Sequence, residues 1–109
     1  MNAKPVALRE RARRDIDEAA HYHLEKGGPA VAGAFIDAVE DVFRHVGEWP
    51  ERGSPRYAHE LGIPGLRVRS AGKCPYPVFY VERDTSIEVW RVLHGARDIP
   101  ARMREPGGG

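Results

Sequence analysis

Apolar and polar positions follow two different periods along this chain. Between residues 5 and 10 the period is two, with Val6 and Leu8 on one side, which predicts a short strand. From 11 to 26 the period becomes that of a helix, and Gly27 predicts its end. Five positions form one stripe on this helix: Ala12, Ile16, Ala19, Ala20 and His23.

The clearest helical pattern covers residues 29–47. Pro29 suits the first helical position, where its missing N–H is not needed, and Gly47 with Pro50 predicts the end. The apolar positions recur at steps of three and four: Val31, Phe35, Ala38, Val39, Val42 and Val46. Two amphipathic helices joined by about three residues predict a helical hairpin with one shared apolar side.

The second half of the chain has the pattern of a small sheet. Residues 48–65 are dense in Pro and Gly, which predicts a loop with at most one helical turn. Three strands are predicted at 66–70, 76–83 and 87–94, the last two joined by a hairpin. The expected fold is an α+β sandwich of order β-α-α-β-β-β, with two helices on one face of a largely antiparallel sheet. We expect one domain over 1–100 and a flexible tail over 101–109.

The last predicted strand is apolar on both sides. Alternation places Ile87, Val89 and Leu93 on one face and Trp90 with Val92 on the other. Because two helices cover only one face of a sheet, we expect the other face to expose an apolar patch for a partner.

Charge and composition narrow the functional classes. The 17 basic and 16 acidic residues give a net charge of +1, lower than is usual for a dedicated nucleic-acid binder. No acidic residue occurs from Leu61 to Val81, where Arg67, Arg69 and Lys73 predict a locally positive side. The single Cys74 allows no internal disulfide and, with no run of about 18 apolar residues, suits a cytoplasmic protein.

Candidate chemistry is sparse. His21 and His23 are two positions apart on a helix and point to different sides, so we expect no metal site and no cofactor. The charged residues of the first helix predict a solvated face with i,i+4 pairs: Arg11, Arg13, Arg14, Asp15, Asp17 and Glu18. His94 near several arginines suits an acid or base for RNA cleavage. Alternatively, His94 only closes a strand, and Arg91 pairs with a carboxylate on a neighbouring strand.

Four stretches together resemble the ParE branch of the RelE/ParE toxin superfamily. "ARRDIDEAAHY" (12–22) resembles the first helix of that family, and "WPERG" (49–53) resembles the end of its second helix. "LRVRSAGKCPYPVFYVER" (66–83) resembles its basic strand followed by its aromatic strand, and "VLHGARD" (92–98) resembles its ending. The resemblance covers about residues 5 to 100 and preserves the order of the elements.

The resemblance implies a toxin of a type II toxin–antitoxin pair, of the kind linked to plasmid stabilisation. Toxins of this branch are thought to poison DNA gyrase without catalysis of their own. The implied partner is a ParD-like, ribbon-helix-helix antitoxin whose C-terminal segment wraps the toxin in a hetero-oligomer in the bacterial cytoplasm. Neither membrane contact nor sequence-specific nucleic-acid binding by the toxin is expected.

The same superfamily contains ribosome-dependent messenger-RNA nucleases, and they are the main alternative. This chain resembles them at Arg67, Arg69 and Arg97. Where those enzymes have an arginine opening the next strand, this chain has Tyr76-Pro77, and its C-terminal segment lacks the tyrosine that many of them use. These departures favour the gyrase poison over an enzyme. A third reading is a degenerate toxin that acts only as partner and co-repressor of its antitoxin.

Two sets of site residues are predicted. The candidate target-binding residues cluster in the basic set: Arg67, Arg69, Arg91, His94 and Arg97. The candidate antitoxin-binding residues lie on the apolar strands and on the first helix: Trp90, Val92, Tyr80, Val78, Ile16 and Tyr22.

Overall fold

A computed structural model describes residues 3–70, 76–94 and 103 of the chain. The strands are β1 (Val6–Leu8), β2 (Leu66–Arg69), β3 (Val78–Glu82) and β4 (Ile87–Val92). Helix α1 (Glu10–Glu48) follows β1, and a 3-10 turn (Pro50–Arg52) and the short α2 (Ala58–Leu61) precede β2. The α+β class and the predicted order of helical and strand segments are confirmed.

Helix α1 is a hairpin of two arms rather than one rod. A straight helix of 39 residues would be about 58 Å long, but the largest extent of the molecule is 38 Å. The break is at Gly28, whose φ of 84° is left-handed and favours glycine, one position after the predicted stop at Gly27. Across the turn the rings of His23 and Phe35 lie 5.1 Å apart, so the two arms pack side by side.

The sheet has four strands in the order β1-β4-β3-β2. The predicted antiparallel core is present, since β2 pairs with β3 and β3 pairs with β4. The N-terminal strand β1 joins the same sheet by pairing in parallel with β4, so the sheet is mixed. Both arms of α1 pack on one face of this sheet.

The predicted alternation along β4 is wrong after Val89. The register between β3 and β4 shifts between Phe79 and Tyr80, where two residues of β4 stand opposite one step of β3. Because of this bulge, Val92 faces α1 together with Val89, while Leu93 lies on the opposite face with Trp90.

The second face of the sheet is not left bare, which corrects the expectation of an exposed apolar patch. The chain between the 3-10 turn and β2 folds over Leu66, Phe79, Val81 and Leu93. The covering side chains are Tyr57, Ala58, Leu61 and Ile63, with Met103 from the C-terminal segment. The described residues therefore form two apolar cores, one on each side of β3 and β4.

Some predictions fall on residues outside those described. They concern Lys73, Cys74, Arg97 and the tail 101–109 apart from Met103. Met103 is half-buried against the second core. Within the described ranges, no helix is both long and apolar enough to cross a membrane.

Candidate functional site

Among the described residues, the two charged side chains that are buried, Asp15 on α1 and Arg91 on β4, form an ion pair. Arg91 is 1% exposed, and its Nε and Nη2 donate to the two carboxylate oxygens of Asp15 at 2.7 and 3.0 Å. The backbone N–H of Val92 donates to the same carboxylate at 3.0 Å, and Arg11 adds a further hydrogen bond at 2.9 Å. Charges this deeply buried are tolerated only when they are paired and hydrogen-bonded.

This ion pair bears on three predictions. Arg91, predicted to bind the target, has its guanidinium inside the protein in this structure, and its partner carboxylate comes from a helix rather than from a neighbouring strand. Asp15 is not part of a solvated face, because it is 6% exposed. The sequence did contain a signal: Ala12, Asp15 and Ala19 are spaced by three and four residues, so Asp15 lies in the apolar stripe.

Arg67 also has a structural partner. Its Nη1 donates to the carbonyl oxygens of Glu51 at 3.2 Å and Gly53 at 2.7 Å. Ser54 and Val68 exchange two backbone hydrogen bonds of 2.9 Å, so residues 50–56 lie alongside β2. Arg67 thus fastens this segment to the outer strand of the sheet.

A buried tyrosine holds the same segment from the inside. Tyr80 is fully buried and donates its hydroxyl to the carbonyl of Pro50 at 2.6 Å. Burial raises the pKa of Tyr80 above its ordinary value, although the Gly53 N–H and the positive charges of Arg67 and Arg69 act in the opposite direction. The raised pKa keeps the hydroxyl neutral and able to donate.

Three other arginines remain along this side of the sheet. Arg69 is half-buried at the end of β2 and, among the described residues, has no hydrogen-bond or ion-pair partner. Arg52 and Arg56 are exposed in the segment beside β2, with their guanidinium groups 4.3 Å above Trp49 and 4.9 Å above Tyr57. We call Arg52, Arg56 and Arg69 the basic edge.

His94 lies in a cleft that no residue of the basic edge lines. The cleft has a volume of about 440 Å³ and runs between the first arm of α1 and the ends of β3 and β4. Its lining is mainly aromatic and acidic: Asp15, Glu18, Ala19, Tyr22, His23, Tyr76, Val92 and His94. The His94 ring lies 4.9 Å from the Tyr76 ring, and the Tyr76 hydroxyl is 3.2 Å from Nε2 of His23. Of the predicted basic set, His94 lines this cleft and the described arginines Arg67, Arg69 and Arg91 do not, while Arg97 lies outside the described residues.

The predicted antitoxin-binding residues also divide. Val78, Tyr80 and Val92 are buried between α1 and the sheet, so they offer a partner no surface in this conformation. Ile16 is half-buried against the same core, whereas Tyr22 is 55% exposed. Of the six predicted antitoxin-binding residues, Tyr22, Ile16 and Trp90 are therefore the ones with surface that a partner can contact.

Trp90 belongs to a polar cluster on the face opposite α1. Its Nε1 donates to Oε1 of Glu88 at 3.0 Å, and Arg83 donates to the same oxygen at 2.8 Å. The hydrogen bond from Arg83, reinforced by that from Trp90, lowers the pKa of Glu88. The guanidinium of Arg9 covers the Trp90 ring at 4.0 Å, so the ring is only half-exposed to a partner.

The two histidines of the first arm lie on different sides of α1. Over residues 3–70 and 76–94, no three His, Cys, Asp or Glu side chains are grouped as a metal ion would require. His21 pairs with Glu25 on the outside of α1 at 3.6 Å, while His23 packs inward between Phe35 and Tyr76.

The fold and the site define a small α+β protein whose helical hairpin packs on a twisted mixed sheet, with separate basic and aromatic surfaces. The family model of the ParE toxin of type II toxin–antitoxin systems, parDE, matches residues 6–99. The chain therefore belongs to the ParE toxin family of type II toxin–antitoxin systems.

Two relatives agree with this assignment. The chain is 29% identical over 89 residues to "Toxin ParE3" of Caulobacter vibrioides, which covers 82% of this chain and 84% of the relative. The solved structure "Chromosomal ParDE TA system from P. aeruginosa" has the same fold, with a TM-score of 0.71 at 15% identity. It matches over 86% of this chain and 98% of that one.

Proposed function

We propose that this ParE-family toxin acts by binding DNA gyrase and stopping replication, without catalysis of its own. It is neutralised in the bacterial cytoplasm by a ParD-like antitoxin, with which it forms a hetero-oligomer. The family membership supports the toxin role, and the separation of its charged groups supports a binding rather than a catalytic mode of action.

The observation that carries this proposal is the burial of Arg91. Cleavage of RNA needs an acid, a base and a cation that stabilises the phosphate, all within reach of one another. Arg91 is three residues from His94 in the sequence, but its guanidinium is bonded to Asp15 and cannot meet a phosphate. His94 instead lies against Tyr76 in a cleft whose lining among the described residues includes no arginine.

The basic edge is our proposed surface for the target. Arg52, Arg56 and Arg69 present positive charge along one border of the sheet, and Tyr80 and Arg67 hold the underlying segment in place. A positively charged border with a fixed backbone suits an acidic or phosphate-bearing surface, which gyrase with bound DNA provides.

The test is a gyrase supercoiling assay with the purified chain, combined with pulse labelling after its induction in bacteria. We expect supercoiling to fall, cleaved plasmid to accumulate, and DNA synthesis to decline before protein synthesis. An earlier decline of protein synthesis would favour the nuclease. No decline in either would favour a chain that serves only as antitoxin partner.

A further inference from the structure

The cleft between α1 and the ends of β3 and β4 has the chemistry of a cation site. Its α1 wall is a single helical face, with Glu18, Ala19, Tyr22 and His23 at spacings that place them side by side. Tyr76 and His94 form the opposite wall. We propose that this cleft receives an arginine side chain presented by the antitoxin, a step that rests on the proposed antitoxin partner.

The aromatic lining is the first argument. The ring of Tyr76 lies 5.8 Å from that of His23 and 4.9 Å from that of His94, and Tyr22 lies 5.6 Å from His23. All four rings line the cleft, where Tyr22 and His94 are exposed, His23 is half-buried and Tyr76 is buried. The faces of aromatic rings attract cations, and the planar guanidinium of arginine stacks on them better than the ammonium of lysine does.

The carboxylates are the second argument. Asp15 already accepts hydrogen bonds from Arg91, Arg11 and the Val92 N–H, so its charge is compensated. Glu18 is 65% exposed at the side chain and forms an ion pair with Arg11 at 3.7 Å, which is longer than a hydrogen bond. Because the same nitrogen of Arg11 donates to Asp15 at 2.9 Å, the exposed carboxylate of Glu18 keeps the capacity to accept from an incoming guanidinium.

Size and surroundings favour a side chain over a larger ligand. A volume of about 440 Å³ is at the small end of the range for ligand sites. The exposed carboxylate of Glu18 repels a phosphate group, which disfavours the backbone of a nucleic acid as occupant. Tyr22 is 55% exposed at the rim, so a peptide lying along the first arm of α1 passes the opening and can direct one side chain inward.

The test uses the full chain and two synthetic peptides, acetyl-Gly-Arg-Gly-amide and the same peptide with citrulline in place of arginine. Citrulline keeps the shape of arginine but lacks its charge. In two-dimensional NMR titrations we expect the arginine peptide to shift the amide signals of Tyr22, His23 and His94, with saturation at millimolar concentration. We expect the citrulline peptide to bind at least fivefold more weakly.

Matched variants identify the residues responsible. We expect Glu18→Gln to weaken binding of the arginine peptide severalfold, whereas Glu25→Gln, on the same arm but outside the cleft, leaves it unchanged. Tyr22→Ala should weaken it as well, while Leu24→Ala, another exposed position on that arm, should not. These four side chains are exposed, so each variant is expected to fold.

Three results would overturn the proposal: equal binding of both peptides, equal effects of Glu18→Gln and Glu25→Gln, or shifts confined to signals outside the cleft. Loss of gyrase inhibition is a separate outcome. A chain that binds the arginine peptide in the cleft but leaves gyrase active would contradict the proposed target and leave the cation site standing.

Discussion

Arg91 and Arg69 lie on strands of the same sheet, but their surroundings give them opposite roles. Arg91 is on β4, an inner strand covered by α1, and its guanidinium is enclosed with Asp15. Arg69 is on β2, the outermost strand, where it is half-buried and has no ion-pair partner among the described residues. Arg67, on the same strand as Arg69, donates to the carbonyls of Glu51 and Gly53. The acceptors within reach of the side chain, more than the residue type, therefore decide whether an arginine supports the fold or is available to a partner.

The largest expected effect is at the buried pair. Asp15→Asn removes the negative charge but keeps the volume, so the charge of Arg91 is left uncompensated inside the protein. Breaking a buried ion pair in this way costs about 3–5 kcal/mol. We expect urea denaturation to show a loss of this size in the free energy of unfolding, which is a large fraction of the stability of a small domain.

Asp17→Asn is the matched control for that experiment, because Asp17 is exposed two positions further along the same helix. We expect a change within about 0.5 kcal/mol. If Asp15→Asn were equally mild, the ion pair would not support the fold. A double variant that replaces both Asp15 and Arg91 by apolar residues provides a further check. We expect it to remain destabilised, because the buried N–H of Val92 then lacks its acceptor.

The next effect concerns the segment beneath the basic edge. A Cβ at Gly53 would lie 2.1 Å from the Tyr80 hydroxyl oxygen and 3.0 Å from Cβ of Arg67. Tyr80 is fully buried and bonded to Pro50, so it has little room to move. We expect Gly53→Ala to lower the thermal midpoint and to cost about 1–3 kcal/mol, as overpacking of a core does.

Gly33→Ala is the control for Gly53→Ala, and we expect it to raise rather than lower the free energy of unfolding. Gly33 is exposed on α1 with open space where a Cβ would be, so alanine should stabilise the helix by about 0.5–1 kcal/mol. Adding Tyr80→Phe to Gly53→Ala removes the closest atom and should recover part of the loss. A tolerated Gly53→Ala would mean that the segment beside β2 is not fixed by Tyr80.

These two regions also show what the sequence can and cannot predict. The helical period of three and four residues located both arms of α1, and β-branched and aromatic runs located the strands, because burial imposes those periods. The bulge between Phe79 and Tyr80 was missed because the residues around it on β4 are apolar on both sides, so an inserted residue leaves no visible break.

The candidate site was harder to predict than the fold, and for a related reason. The sequence predicts Arg91 at the target surface because Arg91, His94 and Arg97 are expected to cluster beside Arg67 and Arg69. Its partner Asp15 is 76 residues away and comes into contact only when α1 packs on β4. Distant pairings of this kind depend on tertiary packing, although an aspartate within an apolar stripe is a usable warning.

A smaller effect is expected at Glu88, on the face opposite α1. Arg83 and Trp90 lower the pKa of Glu88 in the folded protein. The ionised carboxylate therefore adds to the free energy of unfolding above the pKa of the unfolded chain, and this contribution is lost as the pH falls through the folded pKa. Because Arg83 is half-exposed, we expect Glu88→Gln to cost only about 0.5 kcal/mol at pH 7. The difference from the unmodified protein should shrink below about pH 4.

Denaturation curves at several pH values would check this expectation, with Glu40→Gln as the control on the exposed side of α1. The control should show almost no pH-dependent difference. A cost for Glu88→Gln that grows as the pH falls would contradict the assigned direction of the pKa shift.

The smallest effect on stability, and the largest proposed effect on function, is at the basic edge. Because Arg69 has no described partner, Arg69→Gln should change the free energy of unfolding by no more than about 0.5 kcal/mol. If Arg69 contacts the target, losing about 1–2 kcal/mol of binding raises the concentration needed for gyrase inhibition roughly 5- to 30-fold.

Arg13→Gln, which changes the net charge equally but lies exposed on α1, should leave inhibition intact. If both variants inhibit gyrase as well as the unmodified chain does, Arg69 is not part of the target surface. If both variants lose inhibition, the net charge matters rather than this border of the sheet.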